Sequence, residues 1–259
     1  STFIDAAVSI GADTTIEPNT HLQGDTTIGA GCTIGPGALI RDSSVADACE
    51  IRFSMVEGST VESHVDIGPY SHLRAGSYLC EGAHIGNYAE VKESRLGRNT
   101  RMGHFSYIGD ATVGDDVNIG AGTITANYDG ATKHRTTIGD GAFIGSDTML
   151  VAPVNIGRGA GTSAGSVVTR DVPDGMMALG APARIRAKNA TGPIASSHTR
   201  CHAAPTGSTR PHVDRPPSTS PSTTNGTRPS CIWLAWPAAG AASSSAINAT
   251  RGRFIQRRY

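Results

Sequence analysis

The sequence predicts an all-β protein: a parallel β-helix of hexapeptide repeats followed by a disordered C-terminal tail. Three observations carry the prediction. An apolar residue returns at every sixth position, through Ile10, Ile16, Leu22, Ile28, Ile34 and Ile40, and glycine often follows it. Glycine is abundant, 32 of 259 residues, whereas aromatic residues make up only 5%. The repeat also ends abruptly, and nothing beyond Gly192-Pro193 continues it. A six-residue period fits neither the 3.6-residue turn of a helix nor a hairpin array, but it suits stacked coils in which each hexad is one short strand and a corner.

From Val45 the step is sometimes five, through Ile51, Val56, Val61, Ile67, Leu73, Leu79, Ile85, Val91, Leu96, Met102, Ile108, Val113 and Ile119. It resumes at Ile138, Ile144, Leu150, Ile156, Thr162 and Val168. Three hexads make a coil of about 18 residues, and coils stack at roughly 4.8 Å. About eight or nine coils are expected from these inward positions. A single coil cannot bury its own apolar face, so stability requires many rungs. The glycine beside the inward residue is expected to permit a tight corner. Between Ile119 and Ile138, a seven-residue insertion in one coil restores the register. Residues 124–137 are therefore expected to form a polar loop with a turn at Asp129-Gly130, and loops on rigid scaffolds often carry function.

These boundaries divide the chain into a β-helix domain, 1–192, and a tail, 193–259, that is either disordered or the product of a shifted reading frame. Residues 1–194 hold 14 basic and 21 acidic side chains, while 195–259 hold eight Arg, one Asp and no Lys or Glu. The tail has no helical or strand period. Its arginines point to nucleic acid only weakly, and no nucleic-acid partner is expected. No apolar run is long enough to span a membrane and no signal peptide is recognisable, so no membrane partner is expected. Cys32, Cys49, Cys80, Cys201 and Cys231 form neither a disulfide framework nor a zinc pattern, which points to a reducing cytoplasm. The chain opens at Ser1, without Met and already inside the first rungs, which leads us to expect that Ser1 is not the natural start.

Counting from Leu73 as a first-corner residue places side chains in columns. Arg74 and Lys92 each follow a first-corner residue and lie one coil apart. Stacked like charges repel unless an anion sits between them, so the pair reads either as a phosphate site or as two solvated surface charges. His104, two residues past Met102, has Asn87 below it and Ala121, Ser146 and Ala164 above it. Such a ladder of small residues forms either a shallow groove for a thin ligand such as a pantetheine arm or simply a flat face. Glu90 and Tyr107 occupy matching places on neighbouring coils, near enough to serve His104, with Glu90 as a possible orienting carboxylate.

At these residues the chain resembles the acetyltransferase half of the bacterial bifunctional N-acetylglucosamine-1-phosphate uridyltransferase and glucosamine-1-phosphate acetyltransferase. The resemblance runs over roughly residues 1–180. Its specific part is Leu73-Arg74, Gly86-Asn87, Glu90-Val91-Lys92, Gly103-His104, Tyr107-Ile108-Gly109-Asp110, the run Val117 to Ile124, Asn127-Tyr128-Asp129-Gly130, Gly145-Ser146-Asp147-Thr148 and Leu150-Val151-Ala152-Pro153. The resemblance implies a left-handed β-helix and acetyl transfer from acetyl-CoA, a co-substrate, to the 2-amino group of glucosamine 1-phosphate. The product, N-acetylglucosamine 1-phosphate, feeds UDP-N-acetylglucosamine and cell-envelope synthesis. It implies His104 as proton acceptor, with Arg74, Lys92, Tyr107 and Asn118 on the sugar phosphate. Ala121, Asn127, Tyr128, Ser146 and Ala164 would meet acetyl-CoA, in a homotrimer with sites between neighbouring β-helices.

Where the family can place a basic residue near the nucleotide end of CoA, this chain has Gly180-Ala181-Pro182, with Arg184 and Arg186 slightly later. No glycine-rich phosphate loop precedes a helix, so uridylyl transfer and its magnesium are not assigned to these residues, and no metal is expected. Two alternatives remain open at this level. One is another hexapeptide acyltransferase acting on a different nucleotide sugar or amine. The other is a non-catalytic β-helix scaffold or an anhydrase relative, for which His64, His72, His84 and His104 are the available histidines.

Overall fold

The structure, a computed structural model, describes residues 1–187; the tail expected over 193–259, with Cys201 and Cys231, lies outside the described residues. Within 1–187 the chain forms short strands and no helix. The strands assemble into three sheets of 10, 9 and 11 strands, which we call the first, second and third faces in the order the chain visits them. Neighbours in a sheet lie one coil apart: Leu73 pairs with Val91 on the first face, Tyr78 with Arg95 on the second, and His84 with Arg101 on the third.

The stack has about ten coils rather than eight or nine. The extra turns lie at the ends, where the apolar signal weakens. Ile4 belongs to the first coil, and Val172 and Ala178 continue the core beyond Val168. In that first coil Ile4 and Ile10 remain 47% and 39% exposed, because no described coil lies beneath them. Every strand pairing is parallel except the last, in which Met176–Leu179 runs antiparallel to Arg184–Ala187.

The column of Leu22, Ile34, Ile40, Ile51, Leu73, Leu79, Ile85 and Ile108 is fully buried. Each such side chain contributes roughly 1.5–3 kcal/mol on burial. A second buried column, two residues earlier in each hexad, escaped the apolar count because its members are small and often polar: Thr26, Cys32, Ser43, Cys49, Ser77, Ser94 and Thr100. Most of their hydroxyls and thiols donate to carbonyls of the next coil, as Ser77 Oγ does to Val91 O at 3.0 Å and Thr100 Oγ1 to Gly114 O at 2.8 Å. Burial therefore leaves these polar groups satisfied, whereas Thr136, in the same place before Ile138, is buried with no partner for its hydroxyl among the described residues.

The glycine after the inward residue has a different purpose from the one expected. A Cβ at Gly120 would lie 2.6 Å from Ser146 N, and one at Gly145 would lie 2.7 Å from Ala164 N, so hydrogen at this position lets successive coils approach. The left-handed corner comes further on, at residues such as Asp13, Asn19, Asn99 and Asp116 with φ of 60°, 61°, 53° and 55°.

The insertion is narrower than 124–137. Ile124–Ala126 and Thr136–Ile138 are paired strands, so the excursion spans 127–135. Thr125 holds the inward position between Ile108 and Leu150 and is buried, its hydroxyl taking Gly109 N at 2.8 Å. A polar residue in a core slot is why the hexad pattern breaks there. The seven-residue length holds, since Ile119 pairs with Ile144, 25 residues on instead of 18.

Candidate active site

The third face carries the ladder. Its register places Ile85 beside Met102, Arg101 beside Asn118, Ile119 beside Ile144 and Phe143 beside Gly161. Two residues past the inward positions, Asn87, His104, Ala121, Ser146 and Ala164 therefore stand one above another at the corner between the third and first faces. Backbone bonds lock the column: Asp147 N donates to Ala121 O at 2.6 Å, and Gly165 N to Ser146 O at 2.8 Å. The glycines beside it, Gly86, Gly103, Gly120 and Gly145, leave this strip without side chains. His104 is exposed, and its imidazole has no hydrogen-bond partner among the described residues. A solvent-facing, unengaged imidazole is free to accept a proton from a ligand.

The first face carries the cations. Leu73 pairs with Val91, so Arg74 stands directly below Lys92, and Arg74 N donates to Val91 O at 2.8 Å. Arg74 Nη1 donates to Glu90 Oε1 at 3.0 Å. The orienting role expected of Glu90 toward His104 is not what its geometry serves here: the carboxylate lies on the first face and is engaged by Arg74, with no bond to His104. The inserted loop adds a third cation. Tyr128 bridges Lys133 in an antiparallel pair closed by Asp129 Oδ1, which accepts from Ala131 N and Thr132 N at 2.8 and 2.7 Å. This small hairpin brings Lys133 against Lys92, whose pKa is lowered, first by the neighbouring Lys133 and then by burial.

Tyr107, one coil above Glu90, lies over Gly109. Asn127 Nδ2 donates to the Tyr107 hydroxyl at 3.4 Å and to Asp110 Oδ2. Asn127 is buried at the loop's root and so joins Arg74, Lys92 and Tyr107, not the ladder with which acetyl-CoA was associated. Tyr128 points away on the loop, 61% exposed, with its hydroxyl donating to Gly130 O at 2.7 Å. Asn118 lies on the third face beside Arg101. Two groups thus flank one corner: His104, Ala121, Ser146 and Ala164 in one column, and Arg74, Lys92, Tyr107 and Asn127 on the adjoining face. The histidines weighed for a metal are dispersed: His72 Nε2 meets Glu57 at 2.8 Å on the first face, and His84 Nδ1 meets Asp66 at 2.6 Å on the third.

Lys133, Asp110 and Gly109 are the site residues that sequence reasoning passed over. The Asp129-Gly130 turn already implied a hairpin that returns its second arm, and hence Lys133, toward the scaffold.

Residues 7–42 match the family described as bacterial transferase hexapeptide (six repeats), and residues 135–170 match the hexapeptide repeat of succinyl-transferase. The chain is 50% identical over 192 residues to the bifunctional protein GlmU of Caldicellulosiruptor saccharolyticus, covering 74% of this chain and 41% of that protein. This chain is a hexapeptide-repeat homologue of GlmU. A second GlmU, from Thermosipho africanus, is 52% identical over 180 residues, 70% of this chain and 40% of that protein. The chain therefore spans about two fifths of the length of the GlmU proteins it matches. An Arabidopsis UDP-N-acetylglucosamine acyltransferase shares the fold, with a TM-score of 0.61, 16% identity and 72% of each chain covered.

Proposed function

We propose that this chain transfers the acetyl group of acetyl-CoA to the 2-amino group of glucosamine 1-phosphate. The observation that carries the reading is the pairing, across one corner, of an unengaged imidazole at the foot of a side-chain-poor column with a cluster of three cations. Arg74, Lys92 and Lys133 supply the charge that a sugar phosphate requires, with Glu90 paired to Arg74 and the carboxylates of Asp110 and Glu93 acting on the two lysines. Tyr107, held by Asn127, offers a hydroxyl beside that charge. Homology to GlmU and the family motifs set out above support the same substrate pair.

In the reaction His104 accepts a proton from the sugar ammonium, leaving a nucleophilic amine. The nitrogen lone pair attacks the thioester carbonyl, a C–N bond forms, and the carbonyl electrons move to oxygen. Collapse of that tetrahedral species breaks the C–S bond, the departing CoA sulfur takes the proton from the His104 imidazolium, and the second proton on the acylated nitrogen is released to solvent. Proton and charge balance without a covalent enzyme intermediate. The cysteines are placed to stay out of it: Cys32, Cys49 and Cys80 are buried, and burial pushes the Cys49 thiol up to about 12.

The cations and the ladder sit on adjoining faces, which suits an acceptor held between neighbouring copies of the chain, as in the expected homotrimer. Light scattering on the purified protein tests the assembly. A thiol-release assay with acetyl-CoA and glucosamine 1-phosphate tests the activity: the account expects CoA release that depends on the sugar phosphate, and its absence in the assembled protein would refute the assignment.

A further inference from the structure

Beneath the cations of the first face lies a second charged group. Register sets Glu57 one coil above Arg41 and directly below Arg74, since Val56 pairs with Leu73. His72 comes two residues before Arg74, with Glu90 directly above it. Outward side chains one coil apart stand about 4.8 Å from each other, so Glu57 is the carboxylate next to Arg74 in its own column. Arg74 does not take it. Its Nη1 donates on the diagonal instead, upward to Glu90 Oε1 at 3.0 Å, which turns the guanidinium toward the coil that carries Lys92. The reason lies in what Glu57 already holds. Its Oε1 accepts from Arg41 Nη2, and its Oε2 accepts from His72 Nε2 at 2.8 Å. An ionised carboxylate only accepts, so Nε2 carries the imidazole proton in this pair. That hydrogen bond, ahead of any other influence, holds Glu57 below the usual carboxylate range, and the acid keeps its charge. Glu57 is also the most shielded acid in the described ion pairs, 21% exposed against 37–49% for the others. A shielded, charged carboxylate beneath Arg74 would draw the guanidinium down once a partner released it.

We propose that His72 and Arg41 are positioning residues for the acceptor: by occupying both oxygens of Glu57 they keep that carboxylate from capturing Arg74 and leave the guanidinium raised toward the bound phosphate. Neither residue touches the sugar. His72 acts through Glu57, and Glu57 interferes only when released, so removing Glu57 should abolish the need for His72. A residue that merely packs against the face would show no such dependence. This inference rests on the reading of Arg74 and Lys92 as the phosphate site of the acceptor.

The test is a double-mutant cycle on the full chain, with His72→Ala, Glu57→Gln and the two combined, read by calorimetric titration with glucosamine 1-phosphate and with inorganic phosphate and by steady-state thiol release. Circular dichroism melts confirm folding, and Arg41→Ala, which frees the other oxygen of Glu57, repeats the cycle if His72→Ala does not fold. His72→Ala should lose about fivefold in affinity for the sugar phosphate, the scale of a partly exposed ion pair, with a matching rise in its KM and with kcat and the acetyl-CoA KM unchanged. Glu57→Gln alone should bind as the unaltered protein does, and the combined variant should return to within about twofold of it. His72→Gln, whose amide can donate to Glu57, should keep most of the affinity. Unchanged affinity in both His72→Ala and Arg41→Ala, or a loss that Glu57→Gln does not restore, overturns the proposal, while turnover in the unaltered protein keeps the acceptor reading. Inorganic phosphate that binds with the same dependence on His72 and Glu57, in a protein that neither binds glucosamine 1-phosphate nor releases thiol, would overturn the acceptor reading and keep the positioning. Binding of neither anion overturns both.

Discussion

Lys92 and Lys133 meet although they come from different parts of the chain, one from the rim of the first face and the other from the far arm of the inserted hairpin. The approach of Lys133 makes Lys92 the weaker base, and an anion bound there would relieve their repulsion.

The first prediction follows from that pair. The native protein holds the Lys92 proton less tightly than the unfolded chain does, so native Lys92 deprotonates below the ordinary 10.5. In that alkaline window the unfolded state binds more protons, and the contribution of Lys92 to stability rises with pH. Lys133, whose pKa is raised in the same pair, contributes in the opposite sense, so the pair is read at Lys92 itself and not in total stability. Lys133→Met should return Lys92 toward its ordinary value and weaken glucosamine 1-phosphate binding more than glucosamine binding. NMR titration of the Lys92 side chain would show the difference; an unaltered Lys92 titration in the variant would place Lys133 away from Lys92.

Gly109→Ala tests the seat of Tyr107. A Cβ at 109 would lie 2.5 Å from Tyr107 Cζ and 2.8 Å from Asn127 Nδ2, so the ring and its amide partner must shift. Overpacking of this kind costs about 1–3 kcal/mol. The account expects a higher KM for the sugar phosphate, an unchanged KM for acetyl-CoA and a modest fall in Tm. A variant with unaltered acceptor KM would remove Tyr107 from the acceptor site.

Cys32, Cys49 and Cys80 should resist iodoacetamide in the native protein and react once it is unfolded, as read by peptide mass spectrometry. All three are about 1% exposed, and thiolate formation is suppressed by burial at Cys49 and Cys80. Rapid native alkylation of Cys49 with loss of activity would contradict a purely structural role.

Much of this was legible in the sequence because a one-residue-per-hexad signal specifies the fold, and counting from it specifies columns. Arg74 under Lys92, and the line from Asn87 through His104 to Ala164, followed from arithmetic that the strand register repeats. Arithmetic could not reach what depends on side-chain reach or on an irregular segment. Glu90 was near His104 in rung order, yet its carboxylate turns to Arg74 on the same face, where opposite charge lies within 3.0 Å. Asn127 folds back onto Tyr107 and Asp110 because the loop leaves the coil at Ala126, a position the broken hexad at Thr125 concealed. The second buried column was hidden because Ser, Thr and Cys carry no apolar signature, although their hydroxyls and thiols are satisfied within the stack.

The central claim is that His104 is the proton acceptor, and steady-state kinetics of His104→Ala in the thiol-release assay test it most directly. The account predicts a fall in kcat on the order of 10²- to 10⁴-fold, with KM for both substrates and the melting temperature little changed, because the imidazole is exposed and has no hydrogen-bond partner among the described residues. A folded His104→Ala protein that keeps near-wild-type kcat would contradict it.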